Sequence, residues 1–129
     1  MEIGRLLTAM ITPFDENGEV NYEMSAKLAK AIIDSGSDGL VIGGTTGEAP
    51  TISDEEKLKL FSVVKESIGP DHALIAGTTN NNTKESVKLS KLAESTEVDG
   101  LLLTVPSYNK PTQDGLYKHF KSISEEVSI

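Results

Sequence analysis

The sequence contains no cysteine and no tryptophan, and Arg5 is its only arginine. Without cysteine the chain has no disulfide framework, no thiolate zinc site and no cysteine nucleophile, which fits a cytosolic protein. Twelve basic residues against 20 acidic ones leave a net charge of −8. This balance argues against binding to nucleic acid or to an anionic membrane, because both need basic patches. A single arginine also almost excludes bidentate clamps on phosphate.

Long apolar runs are missing as well. The longest, such as Leu101–Leu103, have the size of a strand and fall far below the ~18 residues of a membrane span. The amino terminus has no basic start followed by a long apolar run, so no cleaved secretory signal is expected. With 129 residues, 37% of them apolar and 25% charged, the composition is that of one globular domain. We therefore expect a cytoplasmic α/β protein with no membrane association.

Four short apolar runs alternate with four segments of helical period. Gly, Pro or Asp bounds each run, and such continuous apolar runs suit parallel strands that are buried on both faces. The order predicts a parallel sheet whose strands are joined by right-handed helical crossovers. The four predicted strands are Leu6–Ile11, Leu40–Ile42, Ala73–Ala76 and Leu101–Val105.

The predicted helices carry start and stop signals. Ser53 with Glu56 has the spacing of a capping box, in which each residue satisfies a free backbone donor of the other. Asn82 with Glu85 has the same spacing at the start of the third helix. Gly69-Pro70 is a stop signal after the second helix. These signals agree with the alternation of strands and helices.

An internal repeat sharpens the fold prediction. Asp38–Val41 and Asp99–Leu102 share the pattern Asp-Gly-Leu-apolar and lie 61 residues apart, which is two βα units of about thirty residues. A (βα)8 barrel needs eight such units and typically ~250 residues. We therefore predict an α/β fold that is the N-terminal half, (βα)4, of a TIM barrel. Residues 1–129 are expected to form a single half-barrel segment, with the C-terminal half of the barrel absent.

Functional groups in such folds gather in the loops that follow the carboxyl ends of the strands. The loop Gly43–Glu48 is the most informative of these, because its glycines allow close approach of a ligand and its N–H groups can hold a small carboxylate or phosphate. Thr45 and Thr46 add hydroxyls that both donate and accept hydrogen bonds, as proton shuttling requires. The loop matches neither the P-loop nor the dinucleotide fingerprint, and a plain Gly-rich turn into a helix explains it equally well.

Other polar residues near these loops give weaker signals. Tyr108 follows the fourth strand, where a phenol can relay a proton or simply pack. Lys110 is the only lysine in a loop at this edge, but its neighbours indicate a solvated turn rather than the desolvated site of a Schiff-base lysine. His72 and His119 are expected to be structural. Glu48 could act as a base, but it is expected rather to cap or orient its loop. No spacing indicates a metal site, and no cofactor is expected.

Two motifs, Gly44–Glu48 and Tyr108–Tyr117, resemble those of the dihydrodipicolinate synthase family of class I pyruvate aldolases. The resemblance runs along the whole chain and covers the N-terminal half of the family's barrel. It implies a lyase of lysine and diaminopimelate biosynthesis that works without a cofactor. Its partners are pyruvate, which forms a Schiff base with a lysine, and L-aspartate semialdehyde, which the resulting enamine attacks to give 4-hydroxy-tetrahydrodipicolinate.

The same resemblance implies roles for three residues. Thr46 would bind the pyruvate carboxylate, while Thr45 and Tyr108 would belong to a proton relay. Tyr108 would be contributed across the interface of a homo-oligomer, a dimer or tetramer. The Schiff-base lysine, a second relay tyrosine and a substrate-binding arginine belong to the family's other half, so residues 1–129 alone are predicted to lack synthase activity.

Some family members bind lysine as a feedback inhibitor at the dimer interface. Asn81 and Glu85 match that site, whereas Asp54, Lys57 and Ser107 replace its usual histidines and tyrosine. The resemblance therefore predicts weak or absent inhibition by lysine.

Three other interpretations stay open. N-acetylneuraminate lyase is a close relative, but it usually has Ser-Thr in place of Thr45-Thr46 and lacks the Asn-basic-Pro run that follows Tyr108. A non-catalytic half-barrel that self-assembles is a second possibility, because a half-barrel exposes two edge strands and one face of its sheet. A phosphate-binding βα module is the third, and it is disfavoured because no basic group accompanies the glycine loop.

Overall fold

The computed structural model describes residues 3–129, and its centre is a four-stranded parallel sheet with the strands in chain order. Each strand is followed by a helix, which confirms the predicted βα alternation. The two outer strands are shorter than predicted, because each has one neighbour and ends where its backbone pairing with that neighbour ends. The strands are β1 (Leu7–Ala9), β2 (Gly39–Ile42), β3 (Ala73–Gly77) and β4 (Gly100–Leu102).

Four helices cover one face of the sheet. None of those within residues 3–129 combines the length and the apolar character that crossing a membrane would need. Two single turns of 3₁₀ helix, Thr45–Gly47 and Ala49–Thr51, lie between β2 and the second helix. The helices are α1 (Tyr22–Asp34), α2 (Asp54–Ile68), α3 (Thr83–Glu94) and α4 (Gln113–Ser124).

One predicted capping box is confirmed and the other is wrong. At the start of α2 the Glu56 N–H donates to the Ser53 hydroxyl, and the Ser53 N–H donates to the Glu56 carboxylate at 2.8 Å. The Ser53 N–H and the Ser53 hydroxyl both donate to the Glu56 carboxylate and hold the pKa of Glu56 below its usual value. Asn82 does cap α3, but its side chain accepts from the Lys84 N–H. Its own N–H is already taken by the Asn80 side chain at 2.6 Å, so Glu85 has no donor to satisfy there.

The core lies between the sheet and the helices. Phe61, Leu60 and Val64 of α2 are fully buried against Leu40 of β2 and Leu74 of β3. Because side chains alternate along a strand, Val41 lies on the opposite face, beside its register partners Ala9 and Ile75. Leu102 belongs to that opposite face too and is 39% exposed, so the face is apolar and partly open.

The Asp-Gly-Leu repeat has a structural counterpart. Asp38 precedes β2 and accepts from the Leu6 N–H beside β1 at 2.7 Å, while Asp99 precedes β4 and accepts from the Leu74 N–H of β3 at 2.8 Å. The backbone bonds are equivalent as well, from Asp38 N–H to the Leu6 carbonyl and from Asp99 N–H to the Leu74 carbonyl. Each carboxylate therefore joins two neighbouring strands, and the chain consists of two similar βαβα units.

Candidate functional site

The loops that follow the strands lie together at the carboxyl edge of the sheet, as the parallel topology requires. A cavity of about 660 Å³ opens there between the loops that follow β2, β3 and β4. Its lining comes from these loops, from the ends of β3 and β4 and from the starts of α2 and α3, and it includes Gly44, Thr45, Lys57, Thr79, Asn81, Glu85, Thr104 and Ser107.

The loop after β2 has a defined shape. Gly43 has a φ of 68°, a left-handed conformation that glycine adopts without strain. The turn Thr45–Gly47 is closed by the Gly47 N–H, which donates to the Gly44 carbonyl at 3.0 Å, and by the Glu48 N–H, which donates to the Thr45 carbonyl at 3.1 Å. Glu48 shapes the loop through its backbone, since its carbonyl accepts from both the N–H and the hydroxyl of Thr51.

The three site residues named from the sequence have different surroundings. Thr45 and Thr46 are exposed, and no hydrogen bond joins either hydroxyl to another residue of 3–129. Thr45 lines the cavity, whereas Thr46 and Tyr108 do not. The adjacent hydroxyls of the two threonines therefore stand free to meet a ligand.

Tyr108 extends into solvent. It is 95% exposed and has a φ of 70°, at the centre of a three-residue turn that the Asn109 N–H closes on the Ser107 carbonyl at 2.8 Å. The Asn109 side chain donates to the Asn81 carbonyl at 2.9 Å and so fastens this turn to the loop after β3. Within residues 3–129 the phenol ring itself stays uncovered.

The resemblance named Lys57 only as one of five positions of the family's lysine-binding site, and all five of these residues line the cavity. Only 8% of the Lys57 side chain is exposed, and its ammonium lies 3.9 Å from the Asp54 carboxylate. Burial lowers the pKa of Lys57, with Asp54 acting in the opposite direction. A signal was present in the sequence, because Lys57 lies four residues before the buried Phe61 and so on the apolar stripe of α2.

The remaining candidates are where the sequence placed them. His72 immediately precedes β3, at the edge opposite the cavity. His119 is buried on α4 with its Nδ1 2.9 Å from the Thr83 hydroxyl, and burial lowers the pKa of the imidazole. Lys110 is exposed in its turn, without the desolvation that a Schiff-base lysine needs. Within residues 3–129 no group of three or more acidic or imidazole side chains is arranged to hold a metal ion.

Comparison with known proteins shows which family and which solved structures share this architecture. The sequence model of the dihydrodipicolinate synthetase family matches residues 2–129. The 4-hydroxy-tetrahydrodipicolinate synthase of Desulforudis audaxviator is 50% identical over 129 residues, which are all of this chain and 44% of that protein. The crystal structure of dihydrodipicolinate synthase from Bacillus anthracis superposes with a TM-score of 0.96 at 43% identity, covering 100% of this chain and 44% of that one.

A further solved relative comes from Acinetobacter baumannii, a dihydrodipicolinate synthase in complex with pyruvate. It has a TM-score of 0.94 and 38% identity, over 98% of this chain and 44% of its own. The chain thus spans less than half the length of the relatives it matches, and its fold is the N-terminal half of their TIM barrel. The family model, the relatives and the fold agree, and the chain belongs to the dihydrodipicolinate synthetase family.

Proposed function

We propose that this chain supplies the N-terminal half of a lyase that condenses pyruvate with L-aspartate semialdehyde to give 4-hydroxy-tetrahydrodipicolinate. Residues 1–129 are one half-barrel segment, and the rest of the barrel supplies the lysine that forms the Schiff base with pyruvate. Family membership and the pyruvate complex of the Acinetobacter baumannii relative support this proposal. We also propose that the protein is cytoplasmic and that its reaction uses neither a cofactor nor a metal ion.

The observation that carries the proposal is the pair of free hydroxyls on the turn Thr45–Gly47 at the carboxyl edge of the sheet. A hydroxyl donates one hydrogen bond and accepts others, so it can bind a carboxylate or pass a proton on. In the proposed roles Thr46 donates to the pyruvate carboxylate. Thr45, which lines the cavity, exchanges protons with the tyrosine of the relay.

Tyr108 supports a relay that needs two copies of the chain. Tyr108 is 95% exposed, and a large aromatic side chain on a fastened turn gains apolar contact only when another surface covers it. We infer that Tyr108 enters the site of a second copy in a homo-oligomer, a dimer or tetramer. In that position its hydroxyl reaches the Thr45 hydroxyl of the partner.

The test uses a completed barrel, in which residues 1–129 are joined to the part of the Desulforudis audaxviator synthase that follows its matched segment. We expect this protein to consume pyruvate and L-aspartate semialdehyde. Borohydride should reduce the Schiff base and so attach pyruvate permanently to a lysine outside residues 1–129. The mass of the protein should then increase by one reduced pyruvate adduct. An inactive barrel that still folds and traps no pyruvate contradicts the proposal.

A matched pair of tyrosine variants tests the relay. Tyr108→Phe should lower kcat of the completed barrel at least ~100-fold, the usual contribution of a proton-transfer group. Tyr117→Phe removes the hydroxyl of another exposed tyrosine, on α4, and should leave kcat unchanged. Equal activity of the two variants excludes Tyr108 from the relay.

Turnover of N-acetylneuraminate in place of the proposed substrates would favour the neuraminate lyase alternative.

A second candidate function rests on a different observation. Leu102 on the open face is 39% exposed, and Ile11 and Val105, which lie beyond the ends of β1 and β4, are 57% and 54% exposed. Such exposed apolar side chains are what a half-barrel that assembles with its own copies would need. In this alternative the chain is a non-catalytic half-barrel. Lack of activity in the completed barrel, together with a stable assembly of the 129-residue chain, would favour it.

A further inference from the structure

One buried hydrogen bond fastens the turn Thr45–Gly47 to the first strand. Thr12 lies just beyond β1 and is 5% exposed, and its hydroxyl donates to the Gly47 carbonyl at 2.8 Å. The two residues are 35 positions apart in the chain. Among the hydrogen bonds of residues 3–129, this is the one that holds the Gly47 carbonyl.

The turn is also packed closely against the end of β1. A Cβ added to Gly47 would lie 3.2 Å from the Met10 carbonyl oxygen and 3.2 Å from the Thr12 hydroxyl, so only glycine fits without displacing one of them. The bonds of the turn itself run within residues 44–49. They close the turn on itself, and the Thr12 bond ties it to the end of β1.

We propose that Thr12 is a positioning residue that sets the location of the Thr45 and Thr46 hydroxyls; this inference rests on the proposed function. Gly47 directly follows Thr46, and neither threonine hydroxyl has a hydrogen bond of its own within residues 3–129. The Thr12 bond therefore governs both hydroxyls through the backbone. A misplacement of about 1 Å in a catalytic group can cost on the order of 100-fold in rate.

Two substitutions separate the hydroxyl of Thr12 from its volume. Thr12→Val keeps the shape and removes the donor, while Thr12→Ser keeps the donor. In the completed barrel we expect Val to lower kcat at least ~10-fold and Ser to stay within ~3-fold of the parent. If Thr12 had only a structural role, the valine and serine variants would differ in kcat only where they also differ in stability. A difference in kcat between two equally stable variants therefore indicates a positioning role.

A double-mutant cycle tests whether Thr12 acts through Thr45. In a Thr45→Val background the added Thr12→Val should lower kcat by a smaller factor than it does in the parent, because one of the two groups that Thr12 positions is already gone. Independent multiplication of the two effects overturns the proposal. Equal kcat and KM for Thr12→Val and the parent overturn it as well.

Hydrogen exchange tests the positioning role of Thr12 independently of the proposed function. The Gly47 and Glu48 amides, which donate within the turn, should exchange at least ~10-fold faster in Thr12→Val than in Thr12→Ser. If the parent barrel is inactive but this difference appears, the proposed function fails while the anchoring by Thr12 stands. If exchange is unchanged, the positioning proposal fails whatever the activity. Loss of folding in Thr12→Val and also in Thr12→Cys would assign Thr12 a structural role and overturn it.

Discussion

At the scale of single residues, backbone strain concentrates around the candidate site. Four non-glycine residues of the described chain have positive φ, and Glu48, Tyr108 and Lys110 lie in the loops after β2 and β4. Such conformations cost on the order of 1–3 kcal/mol each and persist where the surroundings enforce them, often at functional sites. These conformations could not be read from the sequence, because none of the three residues is the glycine, asparagine or aspartate that usually marks them.

His119 is expected to make stability depend on pH. Its Nε2 is buried without a partner in residues 3–129, and burial lowers its pKa below the usual 6.5. The unfolded chain therefore binds a proton more readily than the folded one. The stabilising effect of the neutral imidazole is complete above about pH 6.5 and is lost as the pH falls through the folded-state pKa.

Thermal unfolding of the completed barrel between about pH 7.5 and pH 5 measures this effect. Relative to the parent, His119→Gln should flatten the fall in Tm with acidification, because glutamine does not titrate. Parallel Tm curves for the parent and His119→Gln contradict the prediction.

Lysine is expected to bind the completed barrel weakly. The buried Lys57 ammonium already lines the cavity beside Glu85 and Asn81, so the cationic side chain of a lysine ligand meets a like charge there. Calorimetry should show no saturation by lysine at millimolar concentration. Lys57→Ala should increase the affinity, while Lys59→Ala, which removes a cation that lies over Tyr22, should not. A sub-millimolar inhibition constant in the parent contradicts this prediction.

At the scale of elements, hydrogen bonds join neighbouring strands in pairs, both where the strands begin and where they end. At the amino edge, Asp38 links β1 to β2 and Asp99 links β3 to β4. At the carboxyl edge, Thr79 accepts from the Thr104 N–H at 2.8 Å and so links the loops after β3 and β4. The Thr12 hydroxyl donates to the Gly47 carbonyl and so links the loops after β1 and β2. In each βαβα unit a threonine hydroxyl therefore joins the two site loops, although the two bonds have opposite directions.

Gly77 is required by a backbone crossing between β3 and the loop after β2. A Cβ at this position would collide with the Gly43 carbonyl and lie 2.9 Å from the Gly44 nitrogen. Gly77→Ala should lower the free energy of unfolding by about 1–3 kcal/mol or more, because backbone atoms must move. Chemical denaturation of the completed barrel measures this change.

Gly44→Ala is the matched control for that substitution. A Cβ on Gly44 meets only the Leu102 and Val41 side chains, at 3.7 and 3.9 Å, and its φ of −83° suits alanine. We expect its free energy of unfolding to stay unchanged or to rise by up to ~1 kcal/mol. Similar losses in the two alanine variants would show that the crossing at Gly77 is not the cause.

Periodicity and capping signals predicted the order and type of the four strands and of the four α-helices, but not the two 3₁₀ turns between β2 and α2. The same signals place the site at the carboxyl edge of the sheet, which stays a prediction. They did not predict where β1 and β4 end, because the length of an edge strand depends on its neighbour's register. The burial of Lys57 could have been read from its place on the apolar stripe of α2. The Thr12 bond to Gly47 could not, because it depends on which distant segments meet, and a pattern within one segment does not contain that information.

At the scale of the whole molecule, the sheet has two unpaired edges and an open apolar face within residues 3–129. β1 and β4 each have one hydrogen-bonded neighbour, and Leu102 lies 39% exposed on the open face. Unpaired parallel edges and contiguous apolar surface both favour association. The 129-residue chain on its own should therefore form a dimer or larger assembly.

Sedimentation velocity of residues 1–129, with and without a charge on the open face, tests this expectation. Leu102→Glu should shift the chain towards monomer, because a carboxylate buried between two open faces has no partner for its charge. Leu92→Glu is the control, since Leu92 is 42% exposed on α3, away from the open face. The assembled chain is expected to show no synthase activity, because the proposed covalent step needs a lysine from the rest of the barrel. A stable monomer of the parent chain would mean that the open face is covered by a rearrangement within the chain, which contradicts the half-barrel as the state of the isolated segment.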